Sequence, residues 1–509
     1  MLRTRRSQRQ RLRTHRRRLV TATLIAPVLA LAAGCGTQVD DARIEAVGNG
    51  YNAPVVAGDG TAGTGAAAVD TGAVAAPGAV ANPGAAGAGA GSGTPGAGTA
   101  PGATTAPAAG GNAGAKPGAG TAGQPAVATD PSQAPCTRAL SPIILGQTLA
   151  TSGLIGSTIG NLRQGVALWA KAINARGGVQ CHPVQVTSLD DGSDSARVAS
   201  NWNTLKEKGM IAMVGAGEPI TIGALRASAE RDKIPVIGGD VVALDWQRSQ
   251  YLFPQGGDSL TAYDGSTIDA AKNTPGAKVG GIVYCVEASV CTDIKNNFPN
   301  SAKLAGLSVS VSKAVSLTQS DYTAECQAFK DSKTDIVWLA LDGSANTRFA
   351  RSCAQLNYFP QLATSAIGIP PAAAGDPALQ KNTVYLGGQN VPFPTMDTPG
   401  AIEFHNALKQ FLPSFTPDGN TMAGWASGKL FEAALAKVAA KARAGDVTTE
   451  MILDGLWQIK NDTLNGLSPS ITFTKGGLPK TPRCYYTLLL NSNGVTAPNG
   501  SKLQCIKDK

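Results

Sequence analysis

The sequence predicts an α/β fold of two doubly wound parallel-sheet lobes preceded by a disordered linker, and three observations predict it. Short apolar runs alternate with amphipathic helical stretches from about residue 141 onward. The alternation occurs twice in series, and residues 35–135 before it have no apolar face of any period. Strands alternating with helices form parallel sheets, and a chain that cannot bury apolar surface stays disordered.

The elements follow in order. Pro142–Thr148 is a short apolar run suited to a buried strand, and the loop Ala150–Ser157 follows it. Leu162, Val166, Trp169, Ala170 and Ile173 recur at i, i+4, i+7, i+8 and i+11, one face of a helix. Gly177 and Gly178 end it, as glycine often does at a helix C-terminus. Val184–Ser188, Met210–Ala216 and Ile234–Gly238 read as strands, with helices over Ser195–Lys208 and Ile220–Arg231. The rhythm then resumes: strands at Lys278–Tyr284, Leu307–Val311 and Asp335–Leu341, helices at Thr292–Leu304, Tyr322–Ser332 and Ala345–Asn357. Parallel sheets bind ligands beyond the carboxyl ends of their strands, so two such units facing each other make a cleft.

The formal charge of +9 invites a nucleic-acid partner, and its distribution excludes one. Arg3, Arg5, Arg6, Arg9, Arg11, Arg13, Arg16, Arg17 and Arg18 account for all of it, so the rest of the chain is formally neutral. These arginines precede an apolar run, Leu19–Ala33, and then Gly34 and Cys35, the layout of a signal peptide over residues 1–34. The run is too short to span a bilayer comfortably. Ala32–Cys35 resembles the bacterial lipobox, which implies a lipid on Cys35 and a chain anchored to the extracytoplasmic face of the cell membrane. Sec and twin-arginine export both remain open. With Cys35 set aside, Cys136, Cys181, Cys285, Cys291, Cys326, Cys353, Cys484 and Cys505 are an even set, which in an exported chain reads as four disulfides. Eight cysteines allow 105 pairings, and chain order suggests near neighbours, Cys136–Cys181, Cys285–Cys291, Cys326–Cys353 and Cys484–Cys505. The Ala-, Gly- and Pro-rich linker reaches on the order of 50 Å as a flexible coil.

Gly146–Gly153, Gly165–Val179, Leu189–Asp191, Val214-Gly215 and Lys233–Ile237 stand in the order and spacing of a known family. Tyr251–Phe253, Asp321-Tyr322, Thr334–Trp338 and Phe473–Gly477 continue the match. The chain from Ser141 to Lys502 resembles the type I periplasmic-binding proteins, the leucine/isoleucine/valine-binding-protein-like group. The resemblance implies three crossings between lobes, with lobe one over 137–257 and 386–475 and lobe two over 258–385 and 476–509. It also implies a solute receptor of an ABC importer that closes on a small polar solute, an amino acid, amide or related compound. Its partners would then be that solute, a membrane permease and, through the anchor, the membrane. A monomer without cofactor is expected. A lipoprotein that presents solute to a sensory receptor shares the same fold and stays open as an alternative.

Carried over position by position, the resemblance implies a ligand site from both lobes. Lobe one offers Ser152, Gly153 and Leu154 after the first strand, Gly217, Glu218 and Thr221 after the third, and Gly239 and Asp240 after the fourth. Lobe two offers Asp258, Tyr263, Glu287, Ser289, Asp342, Gly343 and Ser365. Glu218 and Asp240 stand where relatives often carry serine and threonine, and Thr364–Gly368 holds no acid for a ligand amine. These departures point away from an α-amino acid in the usual pose and towards a cationic, amide or polyhydroxy solute. Catalysis is not expected. No serine after residue 135 stands in G-x-S-x-G, no HExxH occurs, no cysteine spacing is CxxC, and His182 and His405 read as surface residues. A cell-wall hydrolase or esterase is the minor alternative.

Overall fold

The computed structural model describes residues 135–507. The expected signal peptide, Cys35 and the linker up to residue 134 lie outside the described residues. Among the described residues no helix is long and apolar enough to cross a membrane.

Among the described residues the strands are β1 (Ile143–Leu149), β2 (Val184–Asp190), β3 (Ala212–Ala216), β4 (Val236–Gly239), β5 (Leu252–Phe253), β6 (Val279–Cys285), β7 (Ser308–Val315), β8 (Ile336–Ala340), β9 (Gln361–Ser365), β10 (Val384–Gly388), β11 (Cys484–Asn491), β12 (Gly494–Thr496) and β13 (Gln504–Cys505). The first sheet has the order β2-β1-β3-β4-β5 and is parallel throughout. The second runs β7-β6-β8-β9-β10 in parallel, as the sequence predicts, and then departs from it. β11 lies antiparallel on β10, and β12 and β13 both pair antiparallel with β11. The second sheet is therefore mixed. A short turn suffices to reverse an antiparallel strand, and Gly494 at φ +80° takes the left-handed position where β12 begins.

The chain passes between the sheets three times: after β5, after β10 and before β11. β10 runs through the 385/386 boundary expected from the sequence, and the chain leaves the second sheet over Gln389–Val391. There the passing segments bond to one another, Gly257 N to Gln389 O at 2.9 Å and Val391 N to Leu467 O at 2.8 Å. Asn390 Nδ2 donates to Gln255 O at 3.1 Å and to Leu467 O at 3.3 Å.

Two apolar cores organise the helices. One packs a face of the first sheet against Asn161–Ala175, Pro399–Phe411, Gly419–Lys437 and Thr449–Leu456. The other covers its opposite face through Trp202, Met213 and Leu225, then continues through Val242 and Trp246 to Tyr263 and Trp338 against the second sheet. Aspartates begin five helices: Asp194, Asp258, Asp342, Asp376 and Asp418 each accept backbone N–H groups of the first turn.

The four near-neighbour disulfides form. Cys326–Cys353 ties helix Thr323–Asp331 to Gly343–Gln355 beside β8. Its sequence separation of 27 corresponds to a loop whose closure restricts the unfolded chain by about 3–4 kcal/mol. Replacing both cysteines by serine is expected to lower the urea midpoint accordingly, and an unchanged midpoint contradicts this. His182 is no surface residue. It is fully buried, with Nδ1 2.6 Å from Ser141 O and Nε2 2.8 Å from Ala442 O, so it bridges two segments far apart in sequence.

Candidate functional site at the facing sheet edges

The carboxyl ends of the parallel strands of both sheets border one space. A cavity of ≈ 90 Å³ lies there. Ile155, Thr158, Ile159, Pro219, Ile220 and Val242 line it from the first sheet's side. Tyr263, the Cys285–Cys291 disulfide, Val290, Ile294, Leu317, Trp338, Asp342, Ser365 and Ile367 line it from the second. The lips touch. Thr158 Oγ1 accepts from Gly343 N at 3.0 Å and donates to Asp342 Oδ2 at 3.3 Å, and the Ser157 and Ser344 hydroxyls are 3.3 Å apart.

Polar groups on these walls are tied to the protein. Tyr263 donates its hydroxyl to Val242 O at 3.1 Å, and Trp338 Nε1 donates to Ser266 Oγ at 3.1 Å. The two rings meet edge to face, centroids 5.0 Å apart, so their apolar surfaces are what the cavity meets. Thr364 Oγ1 donates to Leu339 O at 2.8 Å. Asp342 caps its helix, accepting from Ser344 N at 2.9 Å and Ala345 N at 3.1 Å, and burial raises its pKa. Ser365 is 6% exposed, and its Oγ has no partner among the described residues.

Asp190, Asp240 and Glu218 do not line the cavity and are bound to the chain. Asp190 Oδ1 accepts from Thr151 N at 2.8 Å, Ser152 N at 3.1 Å and Gly192 N at 3.1 Å, and Ser152 Oγ donates to its other oxygen. These bonds outweigh partial burial and hold its pKa down at about 2. Asp240 accepts from Glu218 N at 2.7 Å and Val242 N at 3.0 Å, while full burial pushes its pKa up to about 6. Glu218 is buried, with one oxygen accepting from Thr221 Oγ1 at 2.5 Å and the other meeting the Asp191 carboxyl. Burial first and the Asp191 charge second raise the Glu218 pKa well above the ordinary value. Among the described residues no group of three or more His, Cys, Asp or Glu could hold a metal ion.

The sequence profile of the periplasmic binding protein family matches residues 142–494. The chain belongs to the type I periplasmic-binding protein family. Solved structures resemble it in fold. A fatty acid ABC transporter substrate-binding protein from Thermomonospora curvata is 18% identical, with a TM-score of 0.59 over 72% of this chain and 93% of that one. A possible leucine/isoleucine/valine-binding protein from Rhodopirellula baltica SH 1 is 16% identical, with a TM-score of 0.59 over 73% and 98%. An ABC transporter solute-binding protein from R. palustris, in complex with benzoate, is 17% identical, with a TM-score of 0.58 over 72% and 98%. A search of curated proteins finds no sequence match.

Within this periplasmic-binding fold the expected ligand positions separate into two groups. Tyr263, Asp342 and Ser365 line the cavity, and Gly343 meets Thr158 at its lip. Ser152 and Gly153 are exposed and Leu154 is half-buried against the core, while their neighbours Ile155, Thr158 and Ile159 do the lining. Gly217, Gly239 and Thr221 are buried behind the wall. Asp258 caps helix Ser259–Lys272 through Thr261 N at 2.9 Å. Glu287 accepts from Ser316 Oγ at 2.6 Å and Leu317 N at 2.8 Å, which fixes the rim, and Ser289 is exposed. Trp246 is fully buried and does not line the cavity. Apart from Leu154, the expected positions are polar, glycine or Tyr263, whereas the wall is mostly aliphatic and aromatic. Ile155, Ile159, Ile220 and Ile294 line the cavity without standing out in the sequence, because an isoleucine facing a cleft carries the same sequence signal as one facing a core.

Proposed function

We propose that this chain is the extracytoplasmic solute receptor of an ABC-type importer. It is tethered by a lipid on Cys35, acts as a monomer without cofactor, and delivers solute to a membrane permease rather than transforming it. Residues 137–257 with 392–475 form one lobe, and 258–388 with 476–507 the other, the second crossing being taken at Gln389–Val391. The observation that carries this reading is the closed lip, Thr158 against Asp342 and Gly343, over a cavity walled from both sides. At ≈ 90 Å³ the space is smaller than the roughly 150 Å³ that holds benzene in an engineered protein cavity. A solute of benzene size or larger therefore needs the lobes further apart than in this structure, through a hinge motion about the three crossings. Two neighbours bear names that place them with ABC transporters, which favours the permease as partner.

A bound solute at a hundredfold its Kd stabilises the closed fold by about 2.7 kcal/mol. The expected result is a raised melting temperature and a smaller radius of gyration by small-angle scattering with a true solute. A broad solute panel that moves neither quantity defeats the receptor reading. Cys35→Ser is expected to release the chain from the membrane fraction, and retention there defeats the anchor.

A further inference from the structure

Backbone N–H groups at three places, after β1, after β3 and β4, and at the start of a wall helix, are filled by the chain's own carboxylates, and the third of these carboxylates, Asp342, lines the cavity. Asp190 takes Thr151 N and Ser152 N after β1. Asp240 takes Glu218 N after β3 and Val242 N after β4. Asp342 takes Ser344 N and Ala345 N at the start of helix Gly343–Gln355. Free N–H groups at such loops and helix ends attract anions, but here a solute carboxylate would have to displace a bonded carboxylate and remain beside its charge. An ammonium fares no better. Asp342, the one acid on the wall, already accepts three bonds, Thr158 Oγ1 being the third, and the walls otherwise offer mainly apolar surface. An ammonium brings three donors and loses its water on entering.

What the cavity does offer is the Tyr263–Trp338 aromatic pair, a belt of isoleucines, and a hydroxyl without a partner at Ser365. We propose that the cleft takes an uncharged, largely apolar solute held by one hydrogen bond to Ser365 Oγ. Asp342, on the wall and already bonded to its own helix start, acts as a built-in occupant that disfavours carboxylates and α-amino acids. This assignment rests on the receptor reading above and replaces the polar solute expected from the sequence. The sequence pointed the other way because acids near a cleft read as ligand groups until their partners are known.

The test titrates the purified protein with matched probes of one ring size: benzyl alcohol, toluene, benzoate, benzylamine and phenylalanine. Octanol and octanoate run in parallel. Binding is read by calorimetry and by melting temperature. The alcohols are expected to bind at least tenfold more tightly than the acids, the amine and the amino acid. Ser365→Ala is expected to weaken benzyl alcohol about five- to tenfold, the loss of one neutral hydrogen bond, and to leave toluene unchanged. Ser365 Oγ bonds to no described residue, so this variant keeps the fold. Benzoate, octanoate, benzylamine or phenylalanine binding as tightly as the alcohols overturns the assignment and leaves the receptor reading standing. An unchanged benzyl alcohol affinity in Ser365→Ala overturns the role of that hydroxyl. If no probe in either series binds and a broad solute panel also fails, the receptor reading falls and takes the assignment with it.

Discussion

Replacing Gly424 with alanine is expected to destabilise the protein by about 3 kcal/mol or more, at the upper end of overpacking costs. Helices Asn161–Ala175 and Gly419–Lys437 cross with their backbones in contact. A Cβ on Gly424 would stand 2.2 Å from Leu162 O and 2.9 Å from Val166 N. Gly165 on the facing helix is constrained reciprocally, its Cβ falling 2.1 Å from Thr421 O. These atoms are backbone within buried helices, so no rotamer change relieves the clash. Glycine inside a helix costs about 1 kcal/mol against alanine, and the usual expectation is that Gly→Ala stabilises. Here the sign reverses. Gly223 supplies the control: it is exposed in helix Ile222–Asp232 and nothing lies within 4 Å of its would-be Cβ. Gly223→Ala should gain about 0.5–1 kcal/mol in urea denaturation. A Gly424→Ala midpoint equal to that of the unaltered protein would falsify the close-approach account.

The same helix pair shows what the sequence could and could not yield. Leu162, Val166, Trp169 and Ile173 announce a buried face because their spacing alone defines it, and all four are buried. Nothing in that spacing says which partner covers the face, so Gly424 and Gly428 were silent. Their meaning lies in a contact some 260 residues away in the chain, as for the Trp169 Nε1 bond to Glu432 with its separation of 263. The near-neighbour disulfides were legible because short loops close at little entropic cost. β11, β12 and β13 were not, since the antiparallel edge depends on where the chain returns. In the cleft, polar residues at the strand ends carry the signal in the sequence, whereas the cavity wall is mostly aliphatic and aromatic. Whether Asp190 faces a solute or its own loop is decided by the register of β2 against β1, where Asp190 stands opposite Leu149. His182 misled for a similar reason: its two carbonyl partners are not its sequence neighbours.

Raising the pH from about 5 to about 8 is expected to weaken the fold, with three buried acids behind the first sheet's edge as the cause. Asp240 titrates near 6 in the fold against an ordinary 3.8, because it is wholly buried. A carboxyl whose folded pKa is raised contributes stability that is complete below its unfolded value and is lost as pH climbs through the folded one. For Asp240 that loss is about 3 kcal/mol, spread over roughly pH 4–6 and complete above it. Glu218 and Asp191 add to the loss. Asp191 Oδ2 and Glu218 Oε1 are buried without a hydrogen-bond partner among the described residues. Burial raises both, so ionising the second carboxyl places two like charges in one dry site. Asp190 opposes this trend in acid: its pKa of about 2 makes its stabilisation disappear as pH falls from 4 towards 2. The stability profile should therefore peak near pH 4 and fall on both sides. Glu218→Gln keeps a donor for Asp191 and cannot ionise, so it should flatten the alkaline limb while leaving the acid limb unchanged. Urea midpoints across this range decide the matter. A profile that rises from pH 5 to 8, or a Glu218→Gln limb as steep as the unaltered one, removes the buried Glu218 and Asp191 carboxyls as its cause.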